Sequence, residues 1–239
     1  MQERVQKIIA SSGLCSRRKA EELIEEGHVK VNNVVVSLGD KADSQTDIIL
    51  VNGKQIKIEE KKYYVLNKPK GYITTSDDMF NRKKVTDLVP RSPRVFSVGR
   101  LDRDATGILI LTNDGDFAQN IAHPSKEVEK TYIAILDKPF STFDIKKFKE
   151  GIRIEKDIVK AKVILLEKNT VAITLHVGIH KVVKRLFKMS GYYVRTLHRT
   201  HIGSLALDLD KGEWRELTEE DKKLIFTKPK ITKATFLEN

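Results

Sequence analysis

Only one of the 239 residues, Cys15, is a cysteine, which excludes an internal disulfide and any zinc site built from several thiolates. No apolar run approaches the roughly 20 residues that would cross a bilayer, and no secretory apolar segment opens the chain. The expectation is therefore a cytoplasmic protein. Phosphate-cradling glycine loops and dinucleotide fingerprints are missing too. The sharpest absence is local: from Lys168 to Leu207 there are seven Lys/Arg and not one Asp or Glu, in a chain that carries 33 acids.

What is present complements that gap. A hydrophobic content of 40% suits a chain with a real core, and the length accommodates one large domain or a small and a medium one. The net charge is +11, unevenly spread. Residues 1–60 hold nine Lys/Arg against ten Asp/Glu, a net of −1, whereas residues 61–239 carry +12. A polyanion is the natural partner of such a cationic region, since binding phosphates releases their counterions.

The first sixty residues read as a self-contained unit. Val5, Ile8 and Ile9 recur at helical spacing, and Gly13 ends that segment. Ser16 can cap a second helix that buries Ala20, Leu23 and Ile24 and stops at Gly27. Short strands are expected at Val29, Val31 and Val34–Val36 around Asn32-Asn33, and a hairpin at Ile48–Val51, Asn52-Gly53 and Ile56. Three stretches, Arg4-Val-Gln-Lys-Ile-Ile, Gly13-Leu-Cys-Ser-Arg-Arg-Lys-Ala and Gly27-His-Val-Lys-Val-Asn, resemble an S4 RNA-binding domain. The resemblance implies that Arg4, Lys7, Arg17, Arg18 and Lys19 face RNA. The last three fall in the first turn of a helix, where cations oppose the macrodipole, so a use outside the helix is indicated. A small helical cap with a solvated basic face is the plain alternative.

Glu59 to Lys62 reads as a charged linker, giving domains at 1–60 and 61–239. Beyond it, Tyr63–Leu66 should be a strand entering the Asn67-Lys-Pro-Lys-Gly turn. Residues 76–84 read as a polar loop with a basic tip at Arg82, Lys83 and Lys84. A helix is expected over Asp116–Ala122, a strand over Glu129–Leu136, and a helix over Ser141–Lys149 capped by Ser141. Two or three strands should occupy residues 152–177. Residues 182–189 form an amphipathic helix with Val182, Val183, Leu186 and Phe187 inward. Strands follow to Leu209, then a last helix capped by Thr218, with a loose tail after Thr227.

The most informative string is Gly99-Arg-Leu-Asp-Arg-Asp-Ala-Thr-Gly-Ile-Leu-Ile-Leu-Thr-Asn-Asp-Gly115. It sets Asp102 in a loop between Arg100 and Arg103, and arginines on both sides of an acid favour its charged form. The apolar run Ile108–Leu111 would hold that loop rigidly against the core. Gly-Arg-Leu-Asp alone recurs by chance, but with Thr106, Gly107 and Thr-Asn-Asp-Gly the string is specific. It resembles the active-site segment of the S4-domain ribosomal RNA pseudouridine synthases, and the match extends over nearly the whole chain. The family comprises the small-subunit synthase A and the large-subunit synthases B, E and F.

That resemblance implies catalytic roles for Asp102, for Tyr132 in Lys130-Thr-Tyr, and for Lys184 in Gly178-Ile-His-Lys-Val-Val-Lys-Arg-Leu. Val182 stands where the family usually has Gln, and Leu186 where it has Met. Read from the residues themselves, Arg100, Arg103, Lys181, Arg185, Arg195 and Arg199 are further candidates for RNA contact. The fold implied is α+β: a small S4 domain plus a catalytic domain on a mostly antiparallel mixed β-sheet with flanking helices. Isomerising uridine involves neither oxidation nor a group donor, so no cofactor is called for. His176 and His180 are four apart, but Gly178 lies between them and no acid is near, so no metal is expected. The expected partner is ribosomal RNA or a ribosomal assembly intermediate, large-subunit RNA before small, met by a monomer. The rival readings are an inactive RNA-binding or assembly protein that kept the fold, which Val182 favours, and a metal-dependent RNA hydrolase, which lacks clustered ligands.

Overall fold

Two separate hydrophobic patterns, meeting near Lys62, give rise to two units in the computed structural model, which describes residues 2–75 and 78–236. The first unit runs to Lys62 and takes in Arg91–Val95 and Asn113–Gly115; the second holds Tyr63–Pro90, Phe96–Thr112 and the chain from Asp116 onward.

In the first unit β1 (Gln2–Arg4) leads directly into α1 (Val5–Ser11), and α2 (Arg17–Glu25) follows. Ser16 caps α2 as expected, its hydroxyl accepting from the Lys19 amide at 3.2 Å. β2 (Val29–Val31) and β3 (Val34–Val35) form a hairpin whose turn residues, Asn32 and Asn33, both have positive φ (49° and 67°). Asparagine tolerates that conformation, and such a turn matches strand twist. β4 (Lys41–Asp43) pairs with β1, an association no local pattern announced. β5 (Ile49–Val51) and β6 (Lys54–Gln55) close the four-stranded order β3-β2-β5-β6. Val5, Ile8, Ile9, Ala20, Ile24, Val29, Ile49 and Val51 fill the core.

The second unit is built on one sheet. Its strands are β7 (Tyr63–Lys68), β8 (Phe96–Val98), β9 (Thr106–Thr112), β10 (Lys130–Leu136), β13 (Lys162–Glu167), β14 (Thr170–Leu175), β15 (Val194–Ile202), β16 (Leu205–Ala206) and β17 (Trp214–Glu216). The order is β13-β14-β10-β15-β9-β7-β17, with β8 beside β9 and β16 beside β15. Every pairing is antiparallel except β9 with β15. Ile108 to Leu111 are fully buried, so the centre of β9 is enclosed on both faces, as its uninterrupted apolar run requires. On one face Val65, Ile108 and Ile110 pack with Ala118 and Ile121 of α3 (Gly115–Ala122) and Ile225 of α6 (Glu219–Ile225). Thr218 caps α6 in a reciprocal box with Asp221.

Three expectations are corrected. Ser141 makes no capping hydrogen bond with its side chain; a 3₁₀ turn, Thr142–Asp144, precedes α4 (Ile145–Glu150). Residues 152–177 hold four strands, because β11 (Ile152–Ile154) and β12 (Asp157–Val159) form a hairpin of their own. The tail is not loose throughout: Ala234–Phe236 is a 3₁₀ turn, and Phe236 lies edge-on to His201. α5 (Val182–Met189) falls where the periodicity predicts it. Ser76 and Asp77 of the expected polar loop lie outside the described residues. None of the described helices is long and apolar enough to cross a membrane.

Candidate active site

Asp102 sits in the loop between β8 and β9, and two features of the sheet fix that loop. The first is Lys68, the last residue of β7, which is completely buried. Its ammonium donates to the carbonyls of Ala105 (2.8 Å), Asp102 (3.0 Å) and Pro69 (3.2 Å). One cation thus ties together the middle of the loop, its end and the turn that follows β7. Burial pushes the Lys68 ammonium down to about 8, with the nearby carboxylates of Asp104 and Asp102 acting in the opposite direction.

The second feature is Gly107, immediately after the loop. Its φ is +110°, and a Cβ there would lie 2.1 Å from the carbonyl oxygen of Arg199. Only glycine lets β15 approach β9 this closely. The hydroxyl of Thr106, next to it, meets Nδ1 of His198 at 2.8 Å.

Register then aligns four positions. Lys68 pairs with Gly107, Gly107 with Arg199, and Arg199 with Tyr132. Paired residues share a face, so ammonium, bare backbone, guanidinium and phenol ring stand in one row across β7, β9, β15 and β10. Tyr132 is largely buried, and the Arg199 guanidinium lies 5.9 Å from its ring centroid. Behind the row, Lys130 donates to the carbonyl of Val128 at 3.0 Å, and burial pushes its ammonium down to about 8, helped by Arg199.

Lys184 arrives from α5. Phe187 of that helix packs on Phe148, Phe140 lies edge-on to it, and Leu186 and Phe187 are fully buried. With that face fixed, Lys184 reaches the loop. Its ammonium is 3.3 Å from Asp102 and hydrogen-bonds both carboxylate oxygens of Asp104 at 2.8 Å. This bidentate contact holds the Asp104 carboxyl below the usual carboxylate range. Asp102 and Lys184 are each about one-fifth to one-quarter exposed (21% and 24%), partly desolvated yet open to a ligand.

The cation beside Asp102 is therefore Lys184 and not its sequence neighbours. Arg100 and Arg103 are exposed, and neither forms an ion pair with Asp102 among the described residues. Arg199, expected at phosphate, is only 2% exposed and donates from Nε to the carbonyl of Ile108 at 2.7 Å. It is a buried structural cation, and the expectation of a backbone contact to RNA is corrected. Arg195 and Lys181 are exposed; Arg185 pairs with Glu155 at 2.8 Å. In the first unit Arg4, Arg17 and Arg18 are exposed, while Lys7 and Lys19 pair with Glu3 and Glu22. Asp104 and Lys68 escaped sequence reasoning, although both lie inside the quoted motifs; a lysine ending a strand buried on both faces was the available signal.

A carboxylate on a braced loop, a lysine from another element and a buried aromatic ring suit acid–base or nucleophilic work on a flat, polar substrate. Comparison with known proteins names the class. The family model described as RNA pseudouridylate synthase matches residues 62–230, and the S4 domain model matches residues 3–48. The chain belongs to the RNA pseudouridylate synthase family and is an enzyme of that class.

Its S4 domain narrows the kinship further. It is 42% identical over 231 residues to ribosomal large subunit pseudouridine synthase B of Bacillus subtilis (strain 168), covering 92% of this chain and 94% of that one. It is 36% identical over 223 residues to dual-specificity RNA pseudouridine synthase RluF of Escherichia coli (strain K12), covering 91% of this chain and 76% of the other. A crystal structure of a pseudouridylate synthase matches with a TM-score of 0.70 at 33% identity, over 93% of this chain and 99% of that one.

Proposed function

We propose that this enzyme isomerises a specific uridine of large-subunit ribosomal RNA, acting in the cytoplasm as a monomer on RNA or a ribosomal assembly intermediate. The observation that carries the reading is the Asp102–Lys184 pair, formed on the family's own motif loop and braced by Lys68 and Asp104. In the reaction the N1–C1′ bond of the target breaks, the base turns, and a C5–C1′ bond forms. C5 gives up its proton and N1 gains one, so the atoms balance without a donor or an oxidant.

Asp102 supplies the carboxylate that acts on the ribose or the base. A uridine must be everted to reach it, and Tyr132 offers a flat ring for the uracil. Lys184 holds the Asp102 carboxylate in place. Arg4, Lys7, Arg17, Arg18, Lys19, Arg100, Arg103, Lys181, Arg185 and Arg195 serve the RNA backbone, which supplies affinity and orientation rather than sequence choice. We also take residues 1–60 and 61–239 as the RNA-binding and catalytic domains.

The second reading, an RNA-binding protein without activity, is favoured by Val182, a buried apolar residue where the family usually has Gln. One experiment decides between them. Carbodiimide mapping of pseudouridine in ribosomal RNA should lose one large-subunit site when the protein is absent. Wild type should restore it and Asp102→Asn should not, with purified Asp102→Asn releasing tritium from [5-³H]uridine RNA at least ~10²–10⁴-fold more slowly. An unchanged map, or restoration by Asp102→Asn, defeats the enzyme reading of this site.

A further inference from the structure

After β7 the chain turns at Pro69–Gly71 and sends out a loop with a closed base. The Ile73 amide donates to the Lys83 carbonyl at 2.9 Å, and the Val85 amide to the Ile73 carbonyl at 3.0 Å. The same base is fastened to the Asp102 loop. The Gly71 amide donates to the Arg103 carbonyl at 2.7 Å, and the Thr74 hydroxyl to the Leu101 carbonyl at 3.0 Å. The position of this base is thus coupled to the segment that carries the proposed catalytic carboxylate.

The far end of the loop is unusual in composition and exposure. Met79 is 93% exposed and Phe80 73%, adjacent large apolar side chains displayed to solvent. Phe80 is nevertheless organised. The Arg82 guanidinium lies 5.2 Å from its ring centroid, and Arg82 is itself held by Asp78 through its backbone amide (2.8 Å) and Nε (3.0 Å). Asn81 supplies the left-handed turn (φ 51°) between the two. A guanidinium lies beside the ring while most of the side chain stays open. Residues 70–84 contain four Lys/Arg against two Asp, and Asp78 is engaged by Arg82.

We propose that Phe80, backed by Arg82, is a stacking platform for an unpaired nucleobase of the same RNA whose target uridine meets Asp102. The proposal rests on the reading given above and adds the residue that selects unpaired RNA near the target. Stacking on aromatic rings and arginine planes is how proteins hold splayed-out bases, and neighbouring cations attract the strand. The reach is appropriate. Phe80 is six positions beyond Thr74, at most about 20 Å of extended chain, which keeps the stacked base within a few nucleotides of the everted one.

The test uses full-length protein and transcribed large-subunit ribosomal RNA, with affinity read by filter binding and isomerisation by tritium release. Phe80→Ala should weaken binding by about 5- to 100-fold and raise KM correspondingly, with kcat at saturating RNA unchanged. Phe80→Tyr and Phe80→Trp should retain affinity and Phe80→Leu should not, because the platform needs a π face and not merely apolar bulk. In a Trp214→Phe background, which removes the chain's one natural tryptophan, the emission of Phe80→Trp should be quenched when RNA is added. Affinity of Phe80→Ala within twofold of wild type, full rescue by leucine, or unmoved emission would each overturn the platform. The two readings fail separately. Tight, Phe80-dependent binding without tritium release sinks the isomerase reading alone, and normal release with unaltered KM in Phe80→Ala sinks the platform alone.

Discussion

The two units handle positive charge in opposite ways. In the first, Lys7 and Lys19 stand at the surface beside Glu3 and Glu22, four and three residues away in sequence, and the core is almost wholly apolar. In the second, Lys68 and Arg199 lie inside, held by backbone carbonyls and not by carboxylates. Surface pairs of the first kind add little to stability, whereas an interior cation holds whatever donates the carbonyls. The first unit is therefore a charged surface on a self-sufficient core. The second takes cations into its interior, at a desolvation cost, to fix a loop.

Glycine gives the most severe way to break that contrast. At Gly13 an added Cβ would meet only the side chain of Glu59, which can swing away. At Gly107 it would strike the backbone of Arg199, with φ at +110° adding strain. Gly107→Ala should cost about 3–5 kcal/mol, overpacking and strain combined, and should abolish activity. Gly13→Ala should cost about 1 kcal/mol, the penalty of its positive φ. Urea melts of both proteins decide it. Comparable losses would mean that the close approach of β9 and β15 is not what demands glycine.

Next in size is Lys68→Met. It removes a buried cation but leaves the carbonyls of Asp102, Ala105 and Pro69 without their donor, for a net loss of about 1–3 kcal/mol. The kcat should fall far more than KM rises, since the loop rather than the RNA-binding surface is released. The pH dependence carries the sign. Lys68 titrates near 8 when folded, against an ordinary value of 10.5. Between those values the unfolded chain keeps the proton that the folded chain has lost, so stability rises with pH across that window. Lys130, also pushed down to about 8, acts in the same direction. The rise should be shallower in Lys68→Met than in wild type by up to roughly 1.4 kcal/mol per pH unit. Wild-type kcat should decline above about 8, because a neutral amine has two hydrogens for three carbonyls. Parallel stability curves would show that the ammonium is not buried as described.

How much of this was legible in the sequence follows the range of each contact. α5, the Asn-Asn and Asn-Gly hairpins and the caps at Ser16 and Thr218 depend on neighbours within a few residues, and periodicity or turn chemistry gives them away. The Asp102 loop was legible as a motif. Lys184 was reached only through the family resemblance, because nothing local distinguishes a lysine that will meet a carboxylate from one that will meet water, and its bidentate partner Asp104, 80 residues away, was not foreseen. Arg199 shows the same limit. A basic residue on a strand reads as a phosphate ligand until the neighbouring strand supplies a carbonyl for it. The pairing of β1 with β4, across about forty residues, left no trace in either segment.

The smallest effects belong to the first unit, and they sharpen the contrast. Ser16 accepts from the Lys19 amide, so Ser16→Ala should cost about 1 kcal/mol in that unit's stability. Lys19, from the same turn, is paired with Glu22 at 2.8 Å in full solvent. Lys19→Ala should leave the melting curve where it was. If Lys19 leaves Glu22 for phosphate when RNA binds, its removal should weaken binding to all RNA sequences alike. It should also reduce the slope of log affinity against log salt by just under 1, the share of one phosphate contact. A Lys19→Ala protein with wild-type salt dependence would assign that lysine to the helix alone, and the RNA surface proposed for the first unit would then rest on Arg4, Lys7, Arg17 and Arg18.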